Sequence, residues 1–371
     1  MKSLPAEWIE HDKKIRPYIW SHRVLSYGKS LFGLCFTLYV LFTMRFALLE
    51  WWLSSQVSHP FLLWLAYFGL LAVVWEVLTF PFSVAHHWIE RVHQLSKQGY
   101  LSWFWDRVKG YLVGAVIGTI VLGLLYLCVT YFPETWWLWA CTGFVLLSIV
   151  LAQLAPVLLI PIFFKLHPME EGELKKKLLE LCQKFSIHVS EVYHLGLGEK
   201  TEKGNAAFVG LGRTKRIIIG DTLYKKFPME QVEAVFAHEL GHQVHNDLWK
   251  GILLSSGILY VSFFVTDWMV QLYVLPYFGA DVARPYGMLL FFIVLSVVQT
   301  PVGWIQNLFS RWRERMADDF GKSTTGLGAP LADALERLTY QNRGPFKPNV
   351  ILEWFTYSHP APWRRITTLR A

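Results

Sequence analysis

Six apolar stretches, each close to or above the length that crosses a bilayer, dominate this chain and restrict what it can fold into. They run from about Leu31 to Leu53, Phe61 to Phe82, Gly110 to Phe132, Trp136 to Phe164, Gly251 to Tyr273 and Tyr286 to Leu308. A helix crosses the hydrocarbon core in about 20 residues. Only a helix satisfies its own backbone there, so six transmembrane helices are expected. Composition agrees: 53% of the 371 residues are hydrophobic, whereas soluble domains average roughly 45–50%. The 18 Trp and 16 Tyr suit the two membrane–water interfaces.

The loops give the expected orientation. Lys and Arg are frequent before Leu31, between Ser83 and Lys109, between Lys165 and Lys250, and after Ser310. They are absent from Ser54–Pro60 and from Pro133-Glu134-Thr135, and only Arg284 lies between Pro276 and Pro285. This alternation predicts six spans with both termini inside. It also explains the formal charge of +7 without a nucleic-acid partner, because no basic run is interleaved with aromatics. The first 30 residues are polar and charged, so no cleavable signal peptide is expected. Cys35, Cys128, Cys141 and Cys182 are scattered and form no CxxC pair, which suits packing residues rather than metal ligands.

The expected organisation has five parts: a cytoplasmic segment 1–30, a four-helix membrane region 31–165, and a polar segment 166–250. Two further spans (251–308) and a polar tail (309–371) complete it. Within the polar segment, Glu170 to Phe185 has helical apolar spacing at Leu174, Leu178, Leu179 and Cys182. Val189–Leu197, Ala206–Leu211 and Ile217–Ile219 read as short strands. A helix is expected from Pro228 through His245, with proline suited to its first turn.

That helix carries His238-Glu239-Leu240-Gly241-His242. Histidines four apart share one helical face and can hold one zinc ion, with Glu239 placed to take a proton from water. Taken alone, the pattern also fits a surface helix with two solvated histidines. A third protein ligand is needed. His245 lies seven residues from His238, about 10 Å along the axis at ~1.5 Å per residue. It is better placed as a polar face residue. Beyond the sixth span, Glu314 and Asp318 are again four apart. Glu314 can complete a two-His, one-Glu site, and Asp318 can accept a hydrogen bond from the far nitrogen of a ligating histidine. The other reading of this pair is an ordinary charged helix face with Arg311 and Arg315.

The tail segment Tyr357-Ser358-His359-Pro360-Ala361-Pro362-Trp363-Arg364-Arg365-Ile366 offers His359 for an oxyanion and Arg365 for a carbonyl or carboxylate. Asn205-Ala206-Ala207-Phe208 reads equally as an edge strand for a peptide or as a core strand with Asn205 in a turn.

Jointly, these motifs resemble the CaaX prenyl protease 1 family of multi-spanning membrane gluzincins. The resemblance runs from about Thr79 to Ala371. It rests on Pro156 to Lys165, Asn205 to Gly210, Lys215 to Leu223, His238 to His242, Ser310-Arg311 with Glu314 and Ala317-Asp318, and Ser358-His359-Pro360 with Arg365-Ile366. It implies one zinc ion on His238, His242 and Glu314, with Glu239 as general base and acid. Asp318 would be the outer partner, Asn205 and Ala206 would border the substrate strand, and His359 and Arg365 would contact substrate or transition state. The implied fold is mainly α and polytopic: about six spans enclose a chamber, and an α+β zinc protease domain is split by the last two spans. The implied substrate is a peptide or protein at the bilayer, possibly prenylated. The family pattern has seven spans, and the run Gly196 to Gly204 departs from its usual Ser- and Lys-rich form.

Other readings stay open. A membrane quality-control protease would not need prenylation, and a prokaryotic plasma membrane is the expected location. A non-catalytic chaperone would have no use for Glu239. A transporter would give a role to Arg45, Glu50 and Glu76, which otherwise line the chamber or pair with each other.

Overall fold

A computed structural model describes residues 4–189, 191–210, 212 and 215–371. Ser190 and Leu211, both inside expected strands, lie outside the described residues. Six described helices are long and apolar enough to cross a membrane: Ala6–Phe42, Pro60–Val92, Tyr100–Tyr131, Trp136–Phe163, Asp247–Phe278 and Pro285–Thr324. They expose Val73, Leu112, Val116, Leu253 and Val297. Apolar surface on this scale suits lipid rather than water.

The first span differs from its expected bounds. The run from Leu31 to Leu53 is two helices, α1 (Ala6–Phe42) and α2 (Arg45–Gln56). They part at Met44, which adopts a left-handed φ of 56°. The expected polar segment 1–30 is not separate either, because α1 continues through it. The start of α1 docks on the far end of the chain. Trp8 stacks on Phe346 at 4.7 Å, and the Asp12 carboxylate accepts the backbone N–H groups of Phe346 and Lys347 at 2.7 and 2.9 Å.

Next come α3 (Pro60–Val92), α4 (Tyr100–Tyr131) and α5 (Trp136–Leu154), which passes through a π turn, Ala155–Leu159, into α6 (Ile160–Phe163). Pro60 opens α3, where its missing N–H costs nothing. The polar segment then folds as β1 (Leu166–Pro168), α7 (Glu173–Lys184), β2 (Val192–Leu195), β3 (Ala206–Val209), β4 (Arg216–Gly220), α8 (Asp221–Tyr224) and α9 (Met229–Val244). The sheet order is β1-β2-β4-β3. β2 and β4 run parallel, with Val192 opposite Ile217. β3 runs antiparallel to β4, with Ala206 opposite Ile219, so β3 is an edge strand. α7 buries Leu178 and Cys182, the apolar face expected of it.

α10 (Asp247–Met269) passes through a π turn, Val270–Val274, into α11 (Leu275–Phe278). α12 (Pro285–Asp319) ends in a third π turn, Phe320–Thr324. α13 (Gly328–Gln341), α14 (Val350–Thr356) and α15 (Pro362–Arg370) complete the chain.

Two apolar cores result. One is at membrane level and gathers Trp64, Trp136, Phe263, Met288 and Phe291. The other gathers Trp8, Leu178, Ile217, Ile219, Phe236, Leu240, Phe320, Leu331 and Ile366. α12 joins them. It contributes Phe291 to the first core, and the turn that ends it contributes Phe320 to the second. Its 35 residues extend about 50 Å at ~1.5 Å each. The zinc-domain elements before and after the last two spans are thereby assembled into one body.

Of the two expectations for Arg45, Glu50 and Glu76, lining the chamber or pairing with each other, the second does not occur. Glu50 accepts from Arg284 and, at 2.7 Å, from the backbone N–H of Tyr286. Glu76 pairs with Arg107 and Tyr111. Arg45 is exposed.

Candidate metal centre

α9 starts after Pro228 and is buried along Ala234, Val235, Phe236, Ala237, His238, Leu240 and Gly241. Burial on this face packs it between the sheet and α12. His238 and His242 project from it with ring centroids 4.9 Å apart and planes 86° apart. Glu314, on α12, faces both rings. Its Oε2 lies 3.5 Å from His238 Nε2, and its Oε1 lies 3.4 Å from His242 Nε2. One donor atom from each of the three residues falls within 4.8 Å of the others. No other such group occurs among the described residues. His245 follows the last residue of α9 and takes no part.

The far nitrogens are equally well fixed. His238 Nδ1 is 3.0 Å from Asp318 Oδ1, and His242 Nδ1 is 2.7 Å from Asp247 Oδ2. Each imidazole donates Nδ1–H to a carboxylate and turns its Nε2 toward Glu314. Two imidazole nitrogens and one carboxylate are a zinc donor set, and carboxylates behind the rings are the usual support. The residues fit the ion.

The outer carboxylates are themselves held. Arg365 donates from Nε and NH2 to the two oxygens of Asp318, each at 2.7 Å, and its NH1 is 3.2 Å from Glu314 Oε2. Arg313 Nε is 3.0 Å from Asp247 Oδ2. α15 presents Arg365 because Ile366 and Leu369 anchor that helix in the core. His359 lies in the loop before α15, largely exposed, with Nδ1 2.9 Å from Glu314 Oε2.

The electrostatics follow from this geometry. Burial opposes protonation of His238, but Asp318 and Glu314 outweigh it and raise its pKa above the ordinary imidazole value. Burial opposes protonation of His242 too, yet Asp247 and Glu314 push it up to about 9. Burial raises the Glu239 carboxyl, and the two neighbouring imidazoles offset this only in part. A carboxyl held above its ordinary range is a stronger base once ionised.

The edge strand expected at Asn205 and Ala206 lies alongside. β3 packs on α9, with the rings of Phe208 and Phe236 5.2 Å apart. Asn205 is exposed, and its carbonyl accepts the Gly220 N–H at 2.8 Å. The structure thus brings His238, Glu239, His242, Glu314, Asp318, His359 and Arg365 to one place, beside β3. Sequence reasoning missed Asp247 and Arg313. The only available signals were an acidic residue five beyond His242 and a basic residue next to Glu314.

Comparisons with known proteins point the same way. The model of peptidase family M48 matches residues 168–371. A second model, CAAX prenyl protease N-terminal, five membrane helices, matches residues 10–165. Similarity therefore begins well before Thr79. An uncharacterized metalloprotease of Bacillus subtilis, YhfN, is 28% identical over 325 residues, covering 85% of this chain and 75% of its own. CAAX prenyl protease 1 of Saccharomyces cerevisiae is 26% identical over 325 residues, covering 82% and 71%. The crystal structure of S. mikatae Ste24p shares the fold, with a TM-score of 0.89 at 23% identity over 98% of this chain and 89% of that one. The chain belongs to peptidase family M48, as a multi-pass membrane zinc metalloendopeptidase.

Proposed function

We propose that the residues gathered around α9 cut peptide bonds of membrane-associated peptides or proteins, with His238, His242 and Glu314 holding the zinc. The observation that carries this is the convergence of both Nε2 atoms on Glu314 while both Nδ1 atoms are taken by carboxylates. Zinc bound there supplies Lewis-acid polarisation of a carbonyl and of water.

The remaining work falls to the chain's own side chains. Glu239 accepts a proton from the attacking water and returns it to the leaving amine nitrogen. Edge strand β3, entered at Asn205 and Ala206, pairs with the extended substrate backbone. His359 stands on the exposed side of Glu314, where its ring can donate to the developing oxyanion. Asp318 orients His238. Arg365 holds Asp318 with two of its nitrogens and keeps NH1 toward Glu314, and a substrate carbonyl or carboxylate is its further proposed partner.

The helices enclose the site within a chamber, with both termini and the zinc on the cytoplasmic side of a prokaryotic plasma membrane. The alternation of basic loops supports that orientation. Prenylated peptides are one substrate class within this reading, because several relatives are named CAAX prenyl proteases; a quality-control protease acting without prenylation is the other.

The decisive experiment is cleavage of a peptide by the full chain and by Glu239→Gln, with zinc content measured on both. Zinc should stay and cleavage should stop; retained cleavage sinks the assignment of Glu239. Prenylated and unprenylated forms of the same peptide then test the substrate. Equal rates would favour a quality-control protease.

A further inference from the structure

We propose that Asp247 and Arg313 are a positioning pair for His242, setting which of its nitrogens faces the metal and how tightly the ion is held. The inference rests on the zinc site proposed above.

The chain builds this pair deliberately. α9 stops at Val244, and Asn246 adopts a left-handed conformation, φ 56°. That turn brings the first residue of α10, Asp247, back against the ring five positions earlier. Asp247 is almost fully buried. Its Oδ2 accepts the His242 Nδ1–H at 2.7 Å and lies 3.0 Å from Arg313 Nε. The His242 hydrogen bond sets the position of this buried carboxylate, and Arg313 meets it as an ion pair rather than an aligned hydrogen bond, so the guanidinium balances its charge. Arg313 stands beside Glu314 on α12, so adjacent residues of one helix serve the two sides of His242. Glu314 faces Nε2, and Arg313 backs the carboxylate on Nδ1.

α10 makes room for the guanidinium. A Cβ on Gly251 would sit 3.1 Å from Arg313 NH1. The guanidinium also lies 5.3 Å from the Phe309 ring centroid. The outer side of the pair borders a cavity of about 530 Å³ between α5, α10 and α12, lined also by Ser148, Ser255 and Gln299. Truncating either side chain therefore opens toward existing space rather than into a packed core.

The arrangement repeats the one behind His238, where Asp318 accepts from Nδ1 and Arg365 holds Asp318. Each ligating imidazole has its own carboxylate and its own arginine. His242 is the more exposed ring, with 19% of its side chain accessible against 7% for His238. It has the greater need of an external clamp.

The test is zinc affinity of the full-length protein in detergent, measured by competition with a chromogenic chelator. Asp247→Ala should weaken zinc by about tenfold to a hundredfold, the usual cost of losing a support behind a ligand. Asp247→Asn keeps an oxygen opposite Nδ1 and should recover most of that loss; a generic packing role would not separate the two variants by charge and acceptor alone. Arg313→Gln should fall between wild type and Asp247→Ala. The double variant Asp247→Ala/Arg313→Gln should bind no more weakly than Asp247→Ala, because Arg313 acts through Asp247.

Wild-type affinity in Asp247→Ala, or additive losses in the double variant, would overturn the pair. Should Asp247→Ala not fold, Arg313→Gln at wild-type affinity or Asp247→Asn with a full hundredfold loss would do the same. A wild-type protein that binds no zinc would instead remove the metal site itself.

Discussion

Gly241 of α9 lies against Ala317 of α12 so closely that a Cβ on the glycine would stand 3.1 Å from the Ala317 Cα and 3.2 Å from the Phe320 Cβ. Both obstacles are buried atoms of a helix axis or its first side-chain carbon, so neither can swing aside. This contact allows α12 to bring Glu314 within reach of both imidazoles. Gly241→Ala gains about 1 kcal/mol of helix propensity. It costs typically 1–3 kcal/mol of overpacking in compensation. The expected outcome is a slightly less stable protein with α12 displaced. Zinc affinity should drop by more than thermal stability alone accounts for. Chelator competition and a melting curve on the same sample check it, and unchanged zinc affinity would show that α12 does not need this close approach.

Zinc binding should depend on pH, and the sign follows from His242. Its pKa in the folded protein stands at about 9, against an ordinary 6.5. Burial works against that shift, and the Asp247 and Glu314 carboxylates overcome it. A group raised in this way stabilises the folded, zinc-free chain below pH 6.5. That contribution is lost as pH climbs through about 9. The ion needs the neutral ring, so binding expels the proton. Affinity should therefore rise across pH 6.5 to 9, by at most about tenfold per pH unit for each proton released. The melting temperature of the chelated protein should fall across the same window. Titration in buffers of differing ionisation enthalpy would count the protons, and a pH-independent affinity would contradict the protonated His242.

At the opposite end of the bundle, Glu50 ties α2 to the turn before α12 through Arg284 and the Tyr286 N–H. Glu50 is buried, while more than half of the Arg284 side chain is exposed. Removing the carboxylate strands a backbone donor but lets the guanidinium reach water. The cost should therefore be that of a lost buried hydrogen bond, about 1–3 kcal/mol. The larger penalty of an unpaired buried charge does not apply. Glu50→Leu should lower the melting temperature with zinc affinity unchanged, and Glu50→Gln should lie between. A loss of zinc in Glu50→Leu would mean that this far lock is coupled to the metal centre.

The same geometry explains what could be read in the sequence. His238 with His242, and Glu314 with Asp318, are pairs four apart on helices, so local periodicity places each pair on one face. The long apolar runs declare themselves by length alone. Met44 and Asn246 do not: both turn the chain through left-handed φ values near 56° without a glycine to mark the place. The first break divides an apolar run that reads as one span. The second creates the Asp247–His242 contact, which no helical spacing predicts. The docking of Trp8 on Phe346 joins residues more than 300 apart, so no local pattern could reveal that the charged start of the chain belongs to the zinc domain.

Arg311 sets the position of the loop that carries His359, three residues after α14. Its guanidinium is buried at the C-terminal end of that helix, donating to the carbonyls of Glu353 and Trp354 at 3.1 and 3.2 Å and also to that of Tyr357. A helix end leaves its last carbonyls short of partners, although that of Glu353 also accepts the Tyr357 N–H, and a cation there meets the negative end of the helix dipole. The Glu353 carboxylate completes the brace by accepting the Ala361 N–H at 3.0 Å. The segment from Tyr357 to Ala361 is thus fixed at both ends and His359 is carried between them. Arg311→Met keeps the apolar stem and removes all three donors. Zinc affinity should be nearly unaffected, since Arg311 touches no residue of the triad. Amide exchange across 353–361 should accelerate and, on the oxyanion role proposed for His359, kcat should fall at least about tenfold. Arg311→Lys, with one donor group and no fork, should recover only part of the rate. Unchanged exchange in Arg311→Met together with a full loss of activity would place the role of Arg311 elsewhere than in holding His359.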